Sequence, residues 1–68
     1  MKPHEQRVID EKTELDGRIQ KLVDFFQTDL FAGLGSYDQA LMQMQANAML
    51  TYAGILTLRI SQFMEPTA

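Results

Sequence analysis

Cysteine is absent from the 68-residue sequence, which excludes disulfides and thiolate metal sites. Histidine occurs once, as His4 near the start of the chain, so no His-Glu-x-x-His metal pair exists. No run approaches the roughly 18 consecutive apolar residues of a membrane span. Met1–Lys2 leads into a charged segment and not an apolar one, so no signal peptide is expected and an intracellular chain is the simplest reading. Positive charge is also scarce. The net charge of −3 disfavours broad, non-specific binding to nucleic acid. A single domain of this length rarely gains more than about 3–5 kcal/mol from its core. With disulfides excluded, oligomerisation is the staple left to it.

The residues present spell helices. In "RVIDEKTELDGRIQKLVDFF" (7–26), Val8, Leu15, Ile19, Leu22 and Phe26 recur at three- and four-residue spacing and form one apolar stripe. The same spacing calls for an apolar residue at position 12, where Lys12 stands. This first helix is expected from Pro3 to Gln27, with proline tolerated in its first turn. Gly17 interrupts it at about 1 kcal/mol relative to alanine. In the connector "TDLFAGLGS" (28–36), Thr28 is expected to cap a short helical turn carrying Leu30, Phe31 and Leu34. Gly33 and Gly35 are expected to end that turn with positive φ. Ser36, with Gln39 three residues on, has the form of a capping box opening a second helix that runs to about Met64, before Pro66. Two helices of nearly equal length joined by a short connector predict an all-α fold, an antiparallel αα-hairpin forming one domain over 1–68.

The second helix carries only two charged side chains between positions 36 and 63, Asp38 and Arg59. Met42, Met49, Leu56, Ile60 and Phe63 make one stripe with Tyr52 beside it. Leu41, Ala48 and Ile55 make another. Together they cover about half the circumference, more than one helix contact buries. One stripe of a lone hairpin would therefore face water, a patch large enough to drive association. The expectation is an obligate homo-oligomer with the second helix at its centre. The methionines read as core, and Tyr52 at the seam as a core tyrosine with its hydroxyl bonded at the rim. Arg59, placed in the apolar sector, requires a carboxylate or phosphate partner: an inter-subunit salt bridge or a ligand.

No catalytic constellation is present: no cysteine nucleophile, no Gly-x-Ser-x-Gly elbow and no Walker loop. The first helix concentrates six carboxylates, and Arg7–Glu11 and Glu14–Arg18 have the spacing of surface ion pairs. Five of the six basic residues lie in the first 21 positions. Arg7, Arg18 and Lys21 share a face with Phe25, an arrangement that can hold phosphates and stack a base. A solvated ion-paired face explains the same residues. An RNA-binding hairpin would use that face too, but the interspersed carboxylates oppose it. Lys12 either snorkels past the edge of the stripe or meets an anion at a subunit junction.

The order of these pieces resembles a known family. "HEQRVIDEKTELDGRIQKLVDFF", then F-x-x-L at Phe31–Leu34, then "QALMQMQANAMLTYAGILTLRISQF" is similar to the phage anti-CBASS cyclic-oligonucleotide sponges. The pattern is Arg-Val-Ile-x-Glu-Lys-x-Glu-Leu in the first helix. In the second it is Leu-Met-x-x-Gln followed by Met49, Tyr52, Leu56 and Arg59-Ile60. The resemblance implies a helical homo-oligomer, a hexamer in well-known members, working in the cytoplasm of the infected bacterial host. It implies binding of cyclic di- and trinucleotides at subunit junctions without cleavage, which keeps the CBASS effector inactive. No enzyme activity, cofactor, metal, membrane or DNA is implied. Carried over residue by residue, Thr28 matches the family's threonine, Lys12 or Lys21 its lysine, and Arg59 a trinucleotide contact. The first helix lacks the family's stacking tyrosine, so His4, Arg7 or Phe25 would stack in its place.

Overall fold

A computed structural model describes residues 1–64 and is helical throughout, with no strand among the described residues. Helix α1 spans Pro3–Phe25, α2 Asp29–Ala32 and α3 Ser36–Met64. The expected end of α3 near Met64 agrees; Pro66, expected to follow it, lies outside the described residues. The two long helices pack together side by side, and Tyr52 Oη donates to a Glu11 carboxylate oxygen across the interface. That bond joins the middle of each helix, and Phe31 holds Phe25 at the end of α1 and Gln39 near the start of α3, so the two run in opposite directions. The molecule measures 52 × 15 × 15 Å with a radius of gyration of 15.7 Å, against about 11 Å for a compact chain of this length. A shape this elongated leaves much of each helix in water.

The interface follows the sequence pattern. From α1, Val8, Leu15 and Ile19 are buried with Leu22 and Phe26 half-buried beside them. From α3, Ala46, Ala53 and Leu56 are buried, and Met49, Ile60 and Phe63 pack against the same cluster. Leu56 is the one fully enclosed large side chain among the described residues, at 0% exposure. A core with two alanines among its buried members gains little from burial, since a fully buried aliphatic side chain contributes about 1.5–3 kcal/mol and alanine less.

The connector departs from the sequence reading in three places. α1 stops at Phe25, two residues short of Gln27. The Thr28 hydroxyl donates to the Phe25 carbonyl at 2.6 Å, as does the Thr28 amide at 3.0 Å, ending the helix there. Thr28 does cap α2 as expected: its Oγ1 accepts from the Phe31 amide at 3.2 Å. Gly33 closes that turn at φ −82°, and no glycine has positive φ among the described residues. The expected left-handed glycines are therefore replaced by a right-handed turn. Nor does the Ser36/Gln39 capping box form. Gln39 Nε2 instead donates to the Phe31 and Leu34 carbonyls, at 2.9 and 3.1 Å. Ser36 is already inside α3 and the Gln39 backbone amide donates to the Gly35 carbonyl, so Ser36 does not hold the N-cap position that the box requires. The reciprocal bond is found at the other end of the chain, where the Lys2 amide donates to Glu5. Phe31 seals the connector, edge-on to Phe25 at 6.0 Å and tilted against Phe26 at 4.8 Å. Gly17 has no packing role, because a Cβ there would meet nothing within 4 Å.

Candidate functional site

Five of the six candidate ligand residues fall into two groups at opposite ends of the rod, with Lys12 between them. Lys21, Phe25 and Thr28 gather at the connector end. Lys21 and Phe25 are one turn apart on α1, and Thr28 is bonded to the Phe25 carbonyl. Arg7 lies about 21 Å from Lys21 and about 27 Å from Phe25 along α1, at 1.5 Å per residue. Arg59 belongs to that far end also: one heptad beyond the Tyr52–Glu11 contact, it is level with His4. The single chain encloses no cavity among the described residues.

Lys12 sits on the buried stripe of α1, level with Ala53 in the register set by Glu11 and Tyr52. Its side chain is 26% exposed, and Nζ donates to Asp16 Oδ2 at 2.6 Å. The stem is packed and the ammonium is turned one helical turn along to a carboxylate, which is snorkelling. Two of its three N–H donors remain for another oxygen.

Thr28 is more committed. Its hydroxyl gives its only proton to the Phe25 carbonyl and accepts from Phe31. One lone pair is left, which suits an N–H or O–H of a ligand and not a phosphate oxygen. Phe25 is half-buried, with its ring held edge-on to Phe31.

Along the exposed side of α1, many of the polar groups answer one another. Glu14–Arg18 pairs at 2.7 Å as expected, while Gln6 bonds Asp10 and Gln20 bonds Asp24. Pairs this exposed contribute about 0–1 kcal/mol each. The expected Arg7–Glu11 pair does not form, because Glu11 accepts from Tyr52. Arg7, Lys21 and Arg59 make no ion pair with any described residue. Arg59 is exposed, on the flank of α3 and not within the stripe packed on α1.

One feature escaped sequence reasoning. The outer stripe of α3 extends well beyond Leu41, Ala48 and Ile55. Tyr37, Leu41, Met44, Ala48, Thr51, Ile55 and Leu58 recur at alternating four- and three-residue steps, and all are exposed. Met44 and Leu58 are 63% and 67% exposed. The inner stripe from Gln39 to Phe63 repeats with the same spacing on the nearly opposite side. Continuing the alternation from Leu41 in both directions would have revealed the complete seam.

These features define a class: a small all-helical chain, one face of its central helix packed within the chain and the opposite face apolar and open. The chain belongs to the Sequestin family, whose model matches residues 2–62. The match covers both long helices and the connector, in agreement with the resemblance to sponge proteins drawn from the residues. No curated protein and no solved structure matches the chain. No helix among the described residues is long and apolar enough to cross a membrane.

Proposed function

We propose that this chain is a phage-encoded immune-evasion protein that sequesters cyclic di- and trinucleotides at subunit interfaces and does not cleave them. Held messenger cannot activate the CBASS effector of the infected cell, in whose cytoplasm the protein acts. Membership of the Sequestin family over residues 2–62 carries this reading. That the described residues of the single chain enclose no cavity supports placing the ligand between subunits, and so does the open seam of α3. The assembly is a helical homo-oligomer, a hexamer by likeness to the sponges. Lys12 and Lys21 offer phosphate donors, Thr28 an acceptor, and Arg7 and Phe25 flat groups for stacking.

Retention and release tests the proposal. Purified protein is mixed with a panel of cyclic di- and trinucleotides, filtered, then heated, and the released material is chromatographed. Depletion followed by recovery of intact ligand supports a sponge. Depletion with altered products would reveal an enzyme. No depletion from any of the panel would leave the second reading, a structural or protein-binding oligomerisation module, for which the exposed seam of α3 is sufficient.

Lys12→Met separates the two readings at one residue. The substitution removes an exposed-side pair with Asp16 and places an unbranched apolar chain on the buried stripe. Thermal melts are expected to show an equal or higher Tm. If Lys12 holds ligand, the same variant loses cyclic nucleotide retention; retention equal to the parent protein would remove Lys12 from the site.

A further inference from the structure

The open seam of α3 is complementary to itself when reversed. We infer that a second copy of this chain docks on it antiparallel, about a two-fold axis passing between Ala48 and Thr51. The inference rests on the homo-oligomer in the proposed function and gives that assembly a register.

Three observations carry it. The first is the spacing. Alternating steps of three and four residues keep a seam facing a partner helix along its whole length, whereas a single buried patch needs no such regularity. The second is the order of side-chain sizes. From Leu41 to Leu58 the seam reads large, large, small, small, large, large. A reversed copy sets Ala48 against Thr51, Met44 against Ile55 and Leu41 against Leu58, and the two-fold repeats each pairing. The small central pair lets the backbones approach, and the larger residues fill the space on either side.

The third observation is charge. Asp38 and Arg59 are the only charged residues of α3. Both are exposed and neither forms an ion pair with a described residue. Each follows a seam residue directly, Tyr37 and Leu58, so the two occupy one flank of the seam. In the reversed register, Arg59 of the second copy lies about 3 Å along the axis from Asp38, on the same flank. The pair is made twice. A parallel copy would set Asp38 level with Asp38 and Arg59 level with Arg59, with no opposite charge in reach. The partner of Arg59 in this arrangement is a carboxylate of the second copy, not a ligand phosphate. Because α1 packs on the far side of α3, nothing in the described chain blocks the approach.

Site-directed cross-linking tests the register, since the natural chain has no cysteine. Chains carrying Leu41→Cys and Leu58→Cys are refolded separately and together, then treated with a short bismaleimide. The mixture is expected to yield cross-linked pairs containing one chain of each kind. Each variant alone is expected to stay uncross-linked, because its own cysteines are about 25 Å apart. Efficient self-cross-linking of either variant, or none in the mixture, overturns the inference. Charge exchange provides a second route should a cysteine variant fail to fold. Asp38→Arg or Arg59→Asp alone is expected to weaken self-association about tenfold, and the two combined to restore it; failure of the combination to restore it also overturns the register. Cyclic nucleotide retention on the same samples keeps the two claims apart. Mixed cross-links without retention support the register and sink the sponge; retention without mixed cross-links does the reverse.

Discussion

Leu56→Ala is expected to lower the melting temperature by roughly 10–25 °C. The side chain is fully enclosed, and emptying such a site costs about 2–5 kcal/mol because the surroundings collapse only in part. In a domain this small, 1 kcal/mol moves the midpoint by roughly 4–8 °C. The loss is comparable with the whole stabilisation that a core of this size supplies. Circular dichroism at 222 nm measures it, at one fixed protein concentration, because association makes the midpoint concentration-dependent. A shift under about 3 °C would mean that the cluster around Leu56 is not the core of the folded protein.

Ile55→Glu, one residue earlier, is expected to act on a different property. Ile55 is 49% exposed in the single chain and lies on the outer seam. A carboxylate there loses nothing from the contact between α1 and α3. In an assembly built on that seam it would be buried without a partner, at several kcal/mol. Sedimentation equilibrium is expected to give the mass of one chain, 7.8 kDa, while the parent protein gives a multiple of it. Helicity is expected to persist in part, because the inner stripe is untouched. A variant that sediments like the parent would place the subunit contact elsewhere. The opposite expectations for two adjacent residues make the pair more informative than either alone. A general loss of helix propensity would affect both alike.

If assembly and ligand binding are linked, the consequence extends to the site. The connector-end group, Lys21, Phe25 and Thr28, and the far-end group, Arg7 and Arg59, are too distant within one chain to meet a single small ligand. An antiparallel neighbour brings the connector end of one chain beside the open end of the other. Arg7 of one copy then lies at the same level along the rod as Lys21 of the other, with the paired α3 helices standing between the two α1 helices. The same arrangement holds Arg59 against Asp38, which separates it from the remaining candidates.

Local chemistry was legible without the fold. Thr28 followed by an apolar turn identified a cap, and the bond from Phe31 to Thr28 is there. The stripe of Val8, Leu15, Ile19, Leu22 and Phe26 identified the packed side of α1, since only one side of that helix is apolar. The bonded hydroxyl of Tyr52 was legible, but the residue is 41% exposed and not in the core, and its partner Glu11 was not legible. Glu11 had an equally good local partner in Arg7, and the tertiary bond displaced the local one. Gln39 failed for a similar reason. Spacing could not show that α3 starts at Ser36, one residue too early for the box, and the connector carbonyls that take the Gln39 side chain are close only once α2 has folded back over the start of α3.

The sequence by itself determined where helices form, that no disulfide or thiolate metal site holds them, and that α3 has more apolar surface than one partner helix covers. Those conclusions rest on spacing, caps and composition, all local properties. Only the tertiary structure decided which side of α3 faces α1. Both stripes of α3 have the same heptad spacing, so periodicity cannot choose between them. Packing chooses: the stripe with Ala46 and Ala53 admits α1 closely and encloses Leu56. The stripe with Met44, Ile55 and Leu58 is left to the outside, where a further helix has room to pack.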